Sequence, residues 1–214
     1  MIRRVLTGVL TTGFALAAAS ALQAGGWVVI TTEVLPDQVV AGKPIVLEYA
    51  VRQHGRTLVD GLTGQVEARV GKRIVTAVPT PAGRKGFYTV TFTLPTAGLW
   101  TVAIDSGFGG NYDASRFTLQ AIDSSAPPPT VSELERGRQL LAAKGCVMCH
   151  VAPGFDGPTV DVGPSLTRSI KAESVKAFFA RLQAEQDPRS EMPNLALRED
   201  EITSIAEYLS RKKI

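Results

Sequence analysis

The stretch Cys146-Val147-Met148-Cys149-His150 places two thiols three positions apart and an imidazole directly after the second one. This spacing is the attachment signature of a c-type haem, in which each cysteine forms a thioether with one vinyl group of the porphyrin. The short turn between the cysteines brings the next side chain beneath the iron, where His150 would be the proximal ligand. The motif therefore predicts one covalently attached haem c.

Three other interpretations of the cysteine pair are weaker. A structural zinc site needs four ligands, whereas the whole chain holds two cysteines and two histidines, and His54 lies far upstream. A thioredoxin-type dithiol belongs beside a βαβ pattern, and the surrounding sequence has none. A disulfide between Cys146 and Cys149 would close too short a loop to stabilise the fold much.

Residues 1–24 have the layout of a secretory signal peptide. Arg3 and Arg4 precede an uncharged, mostly apolar run, and small residues follow it, so that cleavage after Ala21 or after Ala24 fits equally well. The apolar run approaches the length that spans a bilayer, and an uncleaved membrane anchor therefore stays open. Either way the sequence predicts an exported protein, periplasmic or on the outer face of the cytoplasmic membrane.

Residues 25–122 predict an all-β domain. Seven short runs rich in Val, Ile, Thr and aromatic residues are separated by Gly and Pro turn signals. The run Tyr88–Leu94 alternates apolar and polar residues with the period of a half-buried strand. About seven strands without a helical stretch favour an immunoglobulin-like sandwich.

Several stretches of this domain, among them VVAGKPIVLEYAVRQHG and GRKGFYTVTFTLPTAGLWTVAI, resemble the FixH/YtkA-type β-sandwich domains found on exported bacterial proteins. The resemblance covers about residues 27–121, supports the sandwich and implies no firm activity. Some related sandwiches handle copper, but His54 is the only histidine here and the domain has no cysteine or methionine. Copper needs several such ligands, so we predict no metal in this domain.

Residues 123–131 are a linker by composition, because three consecutive prolines favour a stiff, extended spacer between two separate cores. The following domain, residues 132–214, predicts short helices. Ser132 and Glu135 form a capping-box pattern, and apolar residues recur with helical spacing in Ala172–Ala184 and after Glu199. The predicted fold class is thus an all-β immunoglobulin-like sandwich followed by an all-α domain.

Met192 is the candidate for the second axial ligand of the iron. A low-spin electron-transfer haem often takes a methionine thioether in that position. Met1 leaves with the signal peptide, and Met148 lies inside the attachment turn on the proximal side. Met192 remains, next to the stiffening Pro193, although a methionine can also simply fill a core.

Residues 132–214 resemble a class I cytochrome c throughout. The resemblance rests on Gly137, the CVMCH stretch, the run Gly163-Pro164-Ser165-Leu166, the run Met192-Pro193-Asn194 and Tyr208 in the last helix. One departure is Leu140-Leu141, where many relatives carry an aromatic residue.

The resemblance also implies roles for these residues. Gly137 would let the first helix cross closely over the last one, against Tyr208. The Pro164 carbonyl would accept a hydrogen bond from His150 and fix the orientation of the ring. The haem pocket would be walled by Leu166, Phe178 or Phe179, and Leu195.

These observations together predict an exported monohaem cytochrome c that is not an enzyme and carries single electrons. Its partners would be redox proteins or a membrane respiratory complex, with membrane association through the N-terminal segment left open. The two domains have nearly balanced charges, which gives no basic surface for nucleic acid. Two alternatives stay open: a haem-bearing assembly or binding module that engages a partner through its sandwich, and a gas-binding haem with an open sixth site.

Overall fold

A computed structural model describes residues 26–109, 114–125, 127, 131–157, 159–167, 170–185 and 192–211. The signal segment, most of the three-proline run and the C-terminal lysines lie outside these residues. Within them, no helix has both the length and the apolar character that crossing a membrane requires.

In the part of the chain that the structure describes, ten strands form two five-stranded sheets. The strands are β1 (Val28–Thr32), β2 (Val39–Val40), β3 (Pro44–Gln53), β4 (Thr57–Leu58), β5 (Gln65–Val70), β6 (Arg73–Ala77), β7 (Thr80–Pro81), β8 (Phe87–Thr93), β9 (Gly98–Asp105) and β10 (Ala114–Ile122). The first sheet has the order β1-β3-β8-β7, with β4 paired to β3, and the second has the order β2-β10-β9-β5-β6. Neighbouring strands are antiparallel except β2 and β10, which are parallel.

The core between the sheets follows from the alternation along each strand. In β8, Tyr88, Val90 and Phe92 are buried and the residues between them are not, because side chains with a period of two share one face. Trp100 is completely buried and donates its indole N–H to the Thr96 carbonyl at 3.0 Å. The seven predicted strands are confirmed, each to within two residues at either end.

Four helices follow the strands: α1 (Glu133–Ala143), α2 (Cys146–Cys149), α3 (Ala172–Glu185) and α4 (Glu199–Ser210). Ser132 caps α1, and its hydroxyl accepts a hydrogen bond from the Glu135 backbone N–H at 3.2 Å. Helix α1 crosses α4 closely at Gly137, where a Cβ would overlap the Ser204 carbonyl oxygen. Only glycine permits this approach of the two backbones.

The predicted fold class is wrong in its second half. The described chain is mostly β, and its few helices do not build a separate all-α domain. Residues of the helices and of both sheets belong to one hydrophobic core, which runs from Val28 and Trp100 to Leu140 and Ile205. The cores are therefore continuous, because β1 and β10 present buried surface on which α1 packs.

Candidate functional site

The two cysteines lie on one short helical turn, α2, whose geometry is set by its flanking residues. Gly145 begins the turn in a left-handed conformation with φ of 77°. A Cβ there would lie 2.5 Å from Val29 Cγ1 and 2.7 Å from the Ile30 carbonyl oxygen. His150 ends the turn in an extended conformation, and its backbone N–H donates to the Cys146 carbonyl at 3.0 Å. The two cysteines and the histidine of the Cys146–His150 motif therefore lie on one helical turn and the residue directly after it.

Both thiols are free, and they line an apolar cavity of about 510 Å³. Its walls come from α1, from the turn Cys146–Cys149 that carries both thiols (the thiol turn), from α3 and α4, from the loops between them and from one strand of the sandwich. They consist of Val29, Leu141, Lys144, Gly145, Cys146, Cys149, His150, Val162, Gly163, Pro164, Leu166, Ile170, Ser174, Val175, Phe178, Phe179, Met192, Pro193, Leu195, Ile205 and Leu209. A cavity of this size accommodates a small organic ligand.

The His150 ring is held in a defined orientation at the cavity wall. Its Nδ1 lies 2.8 Å from the Pro164 carbonyl oxygen. Because a carbonyl oxygen can only accept, Nδ1 is the donor, and in the neutral ring the lone pair is then on Nε2. Gly163 lies against the same ring, and a Cβ there would be 2.5 Å from Nδ1. The imidazole therefore has one nitrogen available as an electron-pair donor.

Met192 lines the same cavity from the loop that precedes α4 and is half-buried there. Met148 is buried within the thiol turn and does not contribute to the cavity wall. The six residues singled out from the sequence, including Pro164 and Leu166, all meet at this one cavity. Their convergence does not test the roles expected for them, thioether attachment and axial ligation.

Burial makes both thiols weak acids. It raises the pKa of the Cys146 thiol to about 12, with a smaller contribution from the nearby Cys149, and it also raises the pKa of Cys149. Both groups are therefore protonated at neutral pH, and neither resembles the activated thiolate of a cysteine nucleophile.

Val29 and Lys144 are cavity residues that the sequence pattern does not indicate. Val29 lies on β1, more than a hundred residues before the thiol turn. A valine within a strand is ordinarily read as a core residue of the sandwich. Lys144 is 1% exposed, whereas lysine is almost never fully buried without a partner. The short apolar run Trp27–Ile30 is the sequence signal that this strand is covered on both faces, and all five positions of β1 are buried in the structure.

The predicted haem centre and the cytochrome family assignment are corrected here. Within the described ranges, no group of three or more His, Cys, Asp or Glu side chains could hold a metal ion. No family model matches the chain, and no curated protein matches it. We therefore withdraw haem c as the cofactor, iron as the metal and class I cytochrome c as the family. The Cys146–His150 motif and the cavity beside it remain as structural facts.

Solved structures resemble the chain only distantly. A β-glucosidase from Listeria innocua is 15% identical over 45% of this chain and 16% of its own, with a TM-score of 0.30. A superoxide reductase (neelaredoxin) from Ignicoccus hospitalis is 14% identical over 47% of this chain and 84% of its own, with a TM-score of 0.31. A CARDB domain of a Pyrococcus furiosus protein is 15% identical, with a TM-score of 0.29 and coverage of 47% and 94%. Likenesses at this level carry no argument about function.

Proposed function

We propose that the protein is an exported carrier of single electrons, and that its redox-active group occupies the cavity beside Cys146, Cys149 and His150. The observation that carries the proposal is the convergence of two thiols and an oriented imidazole on one apolar cavity of about 510 Å³. No ligand is identified by the geometry, so its chemical class follows from the walls.

The walls favour a flat and largely apolar group. Phe178, Phe179 and Leu195 line the cavity together with further aliphatic side chains, and such walls stabilise an aromatic ligand by burial of its faces. Two thiols on one turn suit covalent attachment, because a thiol adds across a carbon–carbon double bond without an oxidant or a leaving group.

The cavity is better suited to electron transfer than to acid–base catalysis. Among the residues that the structure describes, the lining contains no carboxylate, so the pairs of carboxyl groups that serve as acid and base in many hydrolytic sites are not available there. The ammonium group of Lys144 is engaged by the Glu33 carbonyl oxygen at 2.7 Å and by the Glu201 carboxylate at 3.0 Å. The positive charge of Lys144 is thus paired within the protein.

The partners we propose are redox proteins or a membrane respiratory complex that accept and donate the electron at the cavity mouth. Two apolar residues stand at that mouth, Val162 with 54% exposure and Phe178 with 38%. Exposed apolar residues beside a redox group provide a short path for the electron and a contact surface for a partner.

The intact mass and the redox behaviour of the full-length chain from the exported fraction of producing cells test this proposal. We expect a mass above that of the polypeptide, a visible absorption that changes on reduction, and a one-electron titration. Cys146→Ala/Cys149→Ala should lose the extra mass and fold with an unchanged circular dichroism spectrum. Cys146→Ala alone should retain a single covalent link.

Two results would overturn the carrier proposal. One is a chain of polypeptide mass without any reversible one-electron step, and the other is a titration in which two electrons move together with formation of a Cys146–Cys149 disulfide. Partner binding by the chain in that unloaded state would favour the alternative of a binding or assembly module.

A further inference from the structure

Strand β1 of the sandwich is buried on both faces. All five residues from Val28 to Thr32 are buried, although successive side chains on a strand point in opposite directions. Val28 and Ile30 belong to the hydrophobic core. Val29, which is 2% exposed, lines the apolar cavity on the opposite face.

The thiol turn is fixed against this face of β1 by backbone and side-chain contacts. Gly145 lies against Val29 and the Ile30 carbonyl, so closely that a Cβ would not fit. Thr31, two residues beyond Val29 and therefore on the same face, donates its hydroxyl to the Lys144 carbonyl at 3.5 Å. The Lys144 ammonium group donates to the Glu33 carbonyl at 2.7 Å. Lys144 and Gly145, which lead into the thiol turn, thus contact β1 and the residue that follows it.

A second contact reaches the cavity from the turn between β3 and β4. Gly55 has a φ of 72°, and a Cβ built on it would lie 3.9 Å from Pro193 Cδ and 3.9 Å from Trp27. Pro193 follows Met192 and lines the cavity with it. The sandwich therefore lines the cavity at Val29, and its β3–β4 turn approaches Pro193, another wall residue.

We propose that the β-sandwich is a structural part of the ligand site, with Val29 as a wall residue that limits the width of the cavity beside the thiols. This inference rests on the proposed function only where it takes the ligand to be a redox group. The position of Val29 in the cavity wall does not depend on the proposed function. The sandwich then does more than tether a partner, because the space available beside Cys146 depends on a side chain of β1.

The first test uses the reduced full-length chain without any bound group. The ratio of the alkylation rates by the bulky reagent N-phenylmaleimide and by the small reagent iodoacetamide measures the space beside the thiols. Val29→Ala should raise this ratio at least threefold. Val28→Ala is the matched control, because it removes the same two methyl groups from the adjacent buried position on the other face of β1, and it should leave the ratio unchanged.

The second test uses the loaded protein, in which Val29→Ala should shift the midpoint potential and Val28→Ala should not. Equal effects of the two substitutions in both tests would overturn the inference. If Val29→Ala does not fold, Val29→Ile replaces it and should lower the alkylation ratio by narrowing the cavity. If the wild-type chain carries no redox group, the proposed function fails, whereas the alkylation ratio still decides whether Val29 is a wall.

Discussion

The ammonium group of Lys144 lies 3.0 Å from a carboxylate oxygen of Glu201, and the two side chains are 2% and 1% exposed. Lys144 ends α1, Glu201 lies in the first turn of α4, and Glu33, whose carbonyl also accepts from Lys144, follows β1. The other oxygen of the Glu201 carboxylate accepts from the Arg198 backbone N–H at 3.1 Å. One buried ion pair thus joins two helices and the sandwich directly beside the thiol turn.

Removing one member of this pair should be strongly destabilising. Glu201→Leu leaves the Lys144 charge buried without a carboxylate, and we expect it to lower the free energy of unfolding by about 3–5 kcal/mol. Lys144→Met leaves Glu201 with Arg198, whose Nη1 lies 3.5 Å from the carboxylate, so its cost should be smaller but still well above about 1 kcal/mol. Lys144→Met/Glu201→Leu should recover most of this loss, because neither charge then remains in the interior. Urea denaturation of the four proteins measures both effects as a double-mutant cycle.

Arg69 and Glu67 provide the matched surface control for that cycle. They form an ion pair at 3.0 Å but are 51% and 40% exposed, so Arg69→Ala should cost less than about 1 kcal/mol. A Lys144→Met cost in the range of this control would contradict the interpretation of the buried pair as a junction between the helices and the sandwich.

Gly137→Ala should destabilise the crossing of α1 and α4 although alanine is the better helix former. The helix propensity gain is about 1 kcal/mol, whereas a Cβ would overlap the Ser204 carbonyl oxygen and lie 2.8 Å from Tyr208 Cβ. Both obstacles are on the backbone or close to it, so the helices must separate. We expect a net loss of about 2–4 kcal/mol in urea unfolding.

Gly157→Ala is the control for this substitution, since a Cβ at Gly157 meets no atom within 4 Å. It should leave the urea midpoint almost unchanged. A stabilised Gly137→Ala protein would mean that the helices do not cross as closely as described.

Most local elements could be predicted from the sequence because their signals are local. Alternation along β8 and the Ser132 cap of α1 need only neighbouring residues to be recognised, and both are present. Motif spacing and elimination among three methionines indicated Cys146, His150 and Met192 as haem and iron ligands. The three residues line one cavity, although the roles for which they were chosen stay untested.

The joining of the two halves could not be predicted in this way. It depends on contacts between residues more than a hundred positions apart, such as Lys144 with Glu33 and Arg136 with the Leu35 carbonyl. Three consecutive prolines favour an extended spacer. An extended spacer does not prevent the residues that follow it from packing against the sandwich. The fold class and the cofactor were wrong where a motif was extended to a whole domain.

Gly163→Ala should disturb the imidazole at the cavity without disturbing the rest of the fold. A Cβ would overlap the His150 ring and lie 2.5 Å from Nδ1, which would displace the ring from the Pro164 carbonyl. In the loaded protein we expect an altered absorption spectrum and midpoint potential, with the urea midpoint lowered by less than in Gly137→Ala. An unchanged spectrum would argue that His150 does not contact the bound group; Gly157→Ala again serves as the control.

The acidity of the Cys146 thiol predicts the pH dependence of both its reactivity and its contribution to stability. In the reduced Cys149→Ala chain the alkylation rate of Cys146 should rise tenfold per pH unit above pH 9 without a plateau near that value, because burial raises the thiol pKa from 9.0 to about 12.

A folded-state pKa above the unfolded one means that folding favours the protonated thiol. The stabilising contribution is therefore complete below pH 9 and falls as the pH rises from 9 toward 12. Urea unfolding of Cys149→Ala and of Cys146→Ala/Cys149→Ala between pH 8 and 11 measures this contribution, and the difference between their free energies of unfolding should shrink as the pH rises. A constant difference, together with an alkylation rate that reaches a plateau near pH 9, would show that the thiol is exposed to solvent.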